Sequence, residues 1–234
     1  MQKGILFLIP IPLGEDAVFS LPKYCIDEIH RLDYFIAERA RTARRFIKTT
    51  QPIRPISDLT VFELDKRDPG NGIDAFLAPA LSGKDIGLMS EAGCPGVADP
   101  GAKVVERAHD LGIKVKPLVG PSSLLLALMA SGMNGQSFSF VGYLPQKTPE
   151  LIREIKRLEA LAKKYKQTQL FIETPYRNDA MLKALIATLS SNTKLAIASQ
   201  LTLGDELIIS KSVGQWKKGS VPVLHKKPTV FLIG

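Results

Sequence analysis

The chain has few residues that could form disulfide bonds or hold a metal ion. Its 234 residues include two cysteines, Cys25 and Cys94, and three histidines scattered along the sequence. Two cysteines cannot build a disulfide framework, and none of these side chains has the spacing of a zinc motif. We therefore expect a cytosolic protein without a bound metal.

The sequence also lacks a long hydrophobic run. The apolar stretch at its start, residues 5–11, is interrupted by Pro10 and is far too short to span a bilayer. No small-residue cleavage site follows it, so we expect neither a signal peptide nor a membrane span. Hydrophobic residues make up 45% of the chain and charged residues 23%, a globular balance that permits one large or two small domains.

The glycine motifs that bind phosphates are absent as well. The chain contains no GxxxxGK(S/T), and a single glycine rather than GxGxxG follows the first apolar run. These absences argue against a nucleoside triphosphatase. They also argue against a nicotinamide enzyme, although Glu38 stands where a ribose-binding acid would follow the second strand.

Positive charge, in contrast, is abundant and unevenly distributed. The formal net charge is +8, a surplus found in proteins with polyanionic partners and also in proteins with many solvated lysines. One short segment contains Arg39, Arg41, Arg44, Arg45 and Lys48 with Glu38 as its nearby acid. It is either an anion-binding site or ordinary surface. A second cluster, residues 150–166, mixes cations with glutamates at pairing distance and indicates a solvated amphipathic helix.

Short apolar runs alternate with helical patterns through the first half of the chain. This alternation predicts an α/β fold with an open parallel sheet and helices on both faces. The predicted strands are residues 4–9, 33–37, 53–59, 85–89 and 113–118. In the second half an apolar helix, residues 124–130, is predicted, and the last strands have no helices between them, so we expect a mixed sheet. The two α/β domains are predicted at residues 1–118 and 119–234.

The segment SEAGCPGVADPGA, residues 90–102, is poor in side chains and directly follows a predicted strand. A turn needs one or two glycines or prolines, whereas a ligand that lies against bare main chain needs several. Glu91 and Asp99 lie in this loop, and no basic residue appears before Lys103, so a phosphate would be repelled. An uncharged or cationic nucleoside such as S-adenosylmethionine fits better. The alternative is a stiff connection in which Asp99 caps the following helix.

Four ordered motifs then give a family resemblance. They are PIPLG at residues 10–14, SEAGCPG with DPG at 90–101, GPS at 120–122 and GYLP at 142–145. Together they resemble the tetrapyrrole methylase superfamily of S-adenosylmethionine-dependent methyltransferases. Within it they look most like the bacterial enzymes that methylate a cytidine ribose 2′-hydroxyl of small-subunit ribosomal RNA. The resemblance implies a homodimer and a cofactor in the cleft between two α/β domains.

The resemblance also implies which residues bind the cofactor. On the matched motifs these are Pro12, Gly14, Ser90, Glu91, Ala92, Gly93, Gly120, Pro121, Ser122, Gly142 and Tyr143. The substrate side matches less well. Where the RNA enzymes carry Glu-Asp-Thr-Arg, Glu-Ser-Thr-His-Arg and Ala-Arg-Glu-Leu-Thr-Lys, this chain has ERAR (38–41), ETPYR (173–177) and ASQLTL (198–203).

We predict catalytic roles for Glu38, Arg41 and Glu173, since each glutamate follows an apolar strand and a ribose hydroxyl needs help to act as a nucleophile. For the glutamates, helix capping and cofactor contact are the alternatives. RNA contacts are predicted for Arg39, Arg41, Arg44, Arg45 and Arg177. The leading hypothesis is therefore an RNA methyltransferase. A methyltransferase of a tetrapyrrole or other small acceptor, and a non-catalytic RNA-binding protein on the same fold, remain open.

Overall fold

The computed structural model describes residues 2–65, 68 and 70–234. Its contacts divide the chain into two compact units, Met1–Ser122 and Ser123–Gly234. The division falls a few residues after the predicted boundary, because the chain beyond residue 118 is still bound to the first unit. Leu118 N donates to the carbonyl oxygen of Leu8 at 3.0 Å, and Val119 N donates to the hydroxyl of Tyr24 at 2.7 Å.

The first unit contains a five-stranded sheet in which all neighbouring strands are parallel. The strands are β1 (Ile5–Ile9), β2 (Tyr34–Ala37), β3 (Thr60–Glu63), β4 (Ile86–Met89) and β5 (Lys114–Pro117). Their order across the sheet is β3-β2-β4-β1-β5. The predicted parallel sheet is confirmed, and the carboxyl ends of all five strands therefore lie at one edge.

Helices cover both faces of this sheet, because alternate side chains of a strand point to opposite sides. The helices are α1 (Lys23–Arg31), α2 (Ala40–Thr49), α3 (Ile73–Leu81) and α4 (Gly101–Asp110). Phe7 and Phe35 belong to the apolar cluster that includes buried residues of α1 and α2. Leu6 and Ile36 belong to the cluster with α3 and α4.

The predicted third strand, residues 53–59, is wrong. That segment contains Pro55 and forms a 3₁₀ turn at Ile56–Asp58, and β3 begins only at Thr60. Proline has no N–H to donate to a neighbouring strand, so it interrupts the ladder that the apolar residues around it suggested. The actual strand, TVFE, is short and half polar because it lies at the edge of the sheet beside β2.

The second unit contains a mixed five-stranded sheet of order β6-β7-β10-β8-β9. The strands are β6 (Phe138–Tyr143), β7 (Thr168–Ile172), β8 (Lys194–Ser199), β9 (Leu207–Ser212) and β10 (Thr229–Ile233). β6 and β7 are parallel, and the other pairs are antiparallel. This confirms the predicted mixed sheet. The carboxyl ends of β6, β7 and β8 lie at the same edge.

The helices of the second unit also lie on both faces of its sheet. They are α5 (Ser123–Ser131), α6 (Thr148–Tyr165), α7 (Asn178–Thr188) and α8 (Val213–Lys218). α5 packs on β8, β9 and β10, whereas α6, α7 and α8 share one apolar cluster with the opposite face. Within that cluster the buried Trp216 donates its indole N–H to the carbonyl oxygen of Leu195 at 2.9 Å.

Candidate functional site

Three loops at the carboxyl edge of the first sheet are joined to one another. They follow the neighbouring strands β4, β1 and β5 and comprise residues 90–96, 10–14 and 118–122. Ile11 N donates to the carbonyl oxygen of Gly93 at 2.9 Å, and Gly93 N donates back to Ile11 at 2.8 Å. The thiol of Cys94 lies 3.5 Å from the carbonyl oxygen of Pro121. The first-unit residues predicted to bind the cofactor thus lie at the edge where ligands of parallel α/β sheets bind.

Two glycines allow this close approach. Gly93 has φ +72°, a left-handed conformation that glycine adopts without strain. At Gly120 a Cβ atom would lie 2.2 Å from Cγ and 2.3 Å from Cβ of Pro10. The loop after β5 therefore rests directly on the ring of Pro10, the residue that follows β1. This contact explains why only glycine fits at position 120.

Asp99 fixes the shape of the loop after β4. Its carboxylate accepts hydrogen bonds from Gly96 N at 2.7 Å and from Gly101 N at 2.6 Å. Burial raises the pKa of this carboxyl group, although the backbone N–H donors oppose the shift. Since α4 begins at Gly101, Asp99 both satisfies an N–H at the helix start, which is the capping role given above as the alternative, and closes the preceding turn. Glu91 and Ala92 remain exposed in the same loop.

Two residues of α1, Tyr24 and Cys25, also hold the loop after β5. The hydroxyl of Tyr24 accepts from Val119 N at 2.7 Å, and the thiol of Cys25 donates to the carbonyl oxygen of Val119 at 3.1 Å. Burial raises the pKa of the Cys25 thiol, so it stays protonated and able to donate. The apolar spacing of α1 gave no sign of this positioning role.

Three carboxylates hold the basic helix α2, and two of them bond it to the loops described above. Glu63, at the end of β3, accepts from Ala40 N at 2.7 Å. Thr42 donates its hydroxyl to Glu91 at 2.7 Å. The guanidinium of Arg45 pairs at 2.7 Å with the carboxylate of Glu15, the residue directly after loop 10–14. α2 is therefore tied to the loops after β1 and β4 through its side chains.

The other cations of α2 face solvent. Arg39, Arg41, Arg44 and Lys48 are exposed, and none of them forms an ion pair with any residue in the described ranges. Of the predicted cationic set on this helix, Arg45 alone forms a salt bridge with a residue that the structure describes, and that bridge is itself exposed. Glu38 lies partly buried between β2 and this helix. The segment thus carries a row of cations available to an anion.

In the second unit, Gly142 and Tyr143 lie at the carboxyl edge of β6 and β7. The pairing of these strands shifts register between Phe140 and Tyr143, and Gly142 has φ +73° within this irregularity. Such a bulge turns the next side chain outward, and Tyr143 is 60% exposed. Tyr143 and Gly142 are the two cofactor-binding residues predicted in this unit.

The buried carboxylate of Glu173 and the half-buried guanidinium of Arg177 form an ion pair just after β7. The Glu173 side chain is 3% exposed, and its carboxylate lies 3.1 Å from Nε of Arg177. The same carboxylate accepts from Thr174 N at 2.7 Å. Arg177 also donates to the carbonyl oxygen of Gln146, after β6, at 3.4 Å. The guanidinium is thereby held in one orientation while about a third of its side chain stays exposed.

The described part of the chain holds no group of three or more histidine, cysteine, aspartate or glutamate side chains placed to bind a metal ion. Among the same residues, no helix is long and apolar enough to cross a membrane.

Comparison with known proteins identifies the family. The model of the tetrapyrrole (corrin/porphyrin) methylases matches residues 26–216, which is most of the chain. The chain belongs to the tetrapyrrole methylase family. The resemblance drawn from the four motifs is confirmed, and the protein is a methyltransferase that requires a methyl donor.

Relatives of this tetrapyrrole methylase carry a common name. A protein of Bacillus subtilis named ribosomal RNA small subunit methyltransferase I is 35% identical over 214 residues, covering 91% of this chain and 68% of the relative. A Vibrio cholerae protein of the same name is 31% identical over 204 residues, covering 87% and 67%. The chain spans about two thirds of the length of these relatives.

A solved structure matches the fold of this tetrapyrrole methylase over nearly its whole length. The crystal structure of the methyltransferase CobJ aligns with a TM-score of 0.65 and covers 99% of this chain and 94% of that protein. The two sequences are 18% identical. At this identity the match establishes the architecture of two α/β units and carries no information about the substrate.

Proposed function

We propose that this tetrapyrrole methylase transfers a methyl group from S-adenosylmethionine to RNA, at a ribose 2′-hydroxyl of small-subunit ribosomal RNA. The observation that carries the proposal is the row of exposed cations on α2, which pair with no acid among the residues that the structure describes. This helix is bonded to Glu91 after β4 and to Glu15 after β1. The name shared by the relatives in Bacillus subtilis and Vibrio cholerae supports the same acceptor.

The loops at the first edge suit S-adenosylmethionine. This molecule carries hydroxyls, an amino group and a sulfonium but no phosphate. Residues 10–14 and 90–96 contain no lysine or arginine and include one exposed acid, Glu91. A Cβ atom at Gly96 would meet no atom within 4 Å, so the main chain there is open on one side. The ligand residues that we propose at this edge are Pro12, Gly14, Ser90, Glu91, Ala92, Gly93, Gly120, Pro121 and Ser122. For Gly142 and Tyr143 of the second unit, cofactor binding stays the prediction that the family resemblance implies.

The arrangement of α2 fits a polymeric anion better than a small acceptor. A helix of ten residues is about 15 Å long, and α2 carries exposed cations from its N-cap, Arg39, to Lys48 near its end. Cations spread over such a length match successive phosphates of a nucleic-acid strand, whose contacts dominate affinity and set the register of binding.

The residues predicted to be catalytic have separate parts in the proposed reaction. When bound, S-adenosylmethionine would supply an electrophilic methyl group on its sulfonium, with S-adenosylhomocysteine as the leaving thioether. Glu38 is our candidate for taking the hydroxyl proton, because it follows β2 beside the basic helix. Arg41 is our candidate for holding the neighbouring phosphate. The carboxylate of Glu173 is engaged by Thr174 and Arg177, and we assign it to positioning Arg177.

The proposal is tested by mapping 2′-O-methyl groups in ribosomal RNA from a strain lacking the gene. We expect one position to lose its methyl group and to regain it when wild-type protein and S-adenosylmethionine are added to small subunits from that strain. An unchanged map would reject ribosomal RNA as the acceptor. Absence of calorimetric binding at millimolar S-adenosylmethionine would reject the cofactor.

Replacing Arg41 or Arg44 with alanine should weaken RNA binding without affecting the fold, since both side chains are exposed. The expected loss is on the order of fivefold for each, equivalent to about 1 kcal/mol. The slope of log affinity against log salt should fall by about one for each contact removed. Filter binding across a salt series measures both quantities. Lys156→Ala, an exposed cation of α6, is the matched control, and an equal loss there would show that the α2 cations have no special part.

A further inference from the structure

An exposed aromatic side chain lies at the edge of the second sheet, on the turn that follows β7. Tyr176 is in the 3₁₀ turn Pro175–Arg177 and is 68% exposed. Its ring centroid lies 5.7 Å from that of His225, in an edge contact at 75°. The Nζ of Lys226 lies 5.9 Å from the centre of the tyrosine ring. One ring thus faces solvent with a second ring and a cation beside it.

Three hydrogen bonds, each with a main-chain group of residues 224–227, hold the segment that carries His225 and Lys226 to this turn and to the start of α7. Lys226 N donates to the carbonyl oxygen of Pro175 at 2.9 Å. Asn178 donates its side-chain amide to the carbonyl oxygen of Lys227 at 2.6 Å. Just before His225, Leu224 N donates to the carboxylate of Asp179 at 2.6 Å. The ring, the imidazole and the cation are therefore preorganised rather than carried on independent loops.

The acids near this aromatic group are already engaged. Glu173 is paired with Arg177, and Asp205 is paired with Lys227 at 3.1 Å. Asp179 accepts the Leu224 N–H described above. Lys226 remains exposed and makes no salt bridge with any residue that the structure describes. The charge available to a ligand at this ring is therefore positive.

We propose that Tyr176 is a stacking platform for one base of single-stranded RNA, with Lys226 beside the backbone of the same strand. Bases of unpaired RNA are typically recognised by stacking on exposed aromatic rings next to cations, and such stacking tolerates any base. The proposal rests on the proposed function, because it assumes that RNA is the acceptor. It adds a contact to the face of a base, whereas the arginines of α2 are proposed to contact phosphates.

The test compares two fluorescein-labelled probes, an oligocytidine RNA and the same strand with abasic riboses. Tyr176→Ala should lower the affinity for oligocytidine on the order of tenfold, equivalent to about 1.4 kcal/mol. It should leave the affinity for the abasic strand and the salt slope unchanged, since no cation is removed. Tyr176→Phe should retain wild-type affinity. Unchanged thermal unfolding, expected for so exposed a side chain, shows that the variants are folded.

Tyr165→Ala is the matched control. Tyr165 is 56% exposed, and the Nζ of Lys164 lies 5.0 Å from the centre of its ring. It ends α6 and therefore precedes the amino end of β7, whereas Tyr176 follows the carboxyl end of that strand. Its loss should affect neither probe. An equal effect of Tyr176→Ala on both probes, or no effect on either, would overturn the stacking proposal, as would failure of wild-type protein to bind oligocytidine. The proposed function is judged separately, by methyl transfer to ribosomal RNA, and its failure would appear there whatever the probes show.

Discussion

Replacing Gly120 with alanine should weaken binding of S-adenosylmethionine by at least about tenfold and slow methyl transfer on the order of a hundredfold. The new Cβ atom would lie 2.2 Å from Cγ of Pro10, which is buried and has a rigid ring. The loops after β1 and β5 must therefore move apart by on the order of 1 Å, a displacement that can cost a hundredfold in rate. Isothermal titration calorimetry and a single-turnover assay measure the two effects.

The matched control for this substitution is Gly135→Ala. Gly135 is exposed, and a Cβ atom there would meet nothing within 4 Å. Its replacement should leave the affinity and the rate unchanged. Overpacking at Gly120 should also cost about 1–3 kcal/mol of stability, so urea unfolding is needed to show that the variant is folded under assay conditions. Wild-type affinity in a folded Gly120→Ala protein would mean that the cofactor does not depend on these loops.

The placement of the loops could be predicted from the sequence because it follows from strand direction. Continuous apolar runs such as residues 4–9 and 85–89 predict buried strands, and parallel strands have their carboxyl ends at one edge. Glycine and proline after such a strand then indicate a loop at that edge. Residues 90–96 include an acid and no base, which argued against a phosphate and favoured an uncharged or cationic ligand.

The contacts that fix the site could not be predicted in the same way. Thr42, Glu15 and Glu91 are exposed polar residues far apart in the sequence, and no periodicity relates a helix to carboxylates on other loops. Their pairing depends on the order β2-β4-β1 across the sheet, which brings α2 beside the loops after β4 and β1. The hydrogen bonds of Tyr24 and Cys25 to Val119 could not be predicted either. Both residues fit the apolar spacing of α1, and that spacing indicates packing and no polar contact.

The short helix α8 was missed because its signal is local and weak. Ser212 accepts from Gln215 N, and the Gln215 side chain accepts from Ser212 N, which together form a capping box. Only six residues follow, so the apolar pattern is too short to indicate a helix, and its Val213 extends the preceding strand pattern. Once formed, α8 places Trp216 in the core of the second unit, where it is 1% exposed.

Removing the carboxylate of Glu159 should destabilise the second unit by about 3 kcal/mol. Glu159 lies on α6 and is 8% exposed. It accepts from Ser190 N at 2.9 Å, from the hydroxyl of Thr193, and from Lys163 at 3.1 Å. Glu159→Ala would leave these donors without their acceptor and would release the turn between α7 and β8. Urea unfolding of the variant at neutral pH measures the loss. Glu154→Ala on the same helix, which breaks only the ion pair with Arg157, should cost under about 1 kcal/mol.

Acid should remove the contribution of Glu159. Burial opposes its ionisation, but the hydrogen bonds from Thr193, Ser190 and Lys163 outweigh burial and hold its pKa below the usual value. Its stabilising effect is therefore complete above the ordinary glutamate pKa of about 4.3 and is lost as pH falls through the lower pKa of the folded protein. Wild-type protein should exceed Glu159→Gln in stability at pH 7, and the difference should vanish in strong acid. A difference that stays constant with pH would show that shape and hydrogen bonding, rather than the charge of Glu159, hold α6 to the turn.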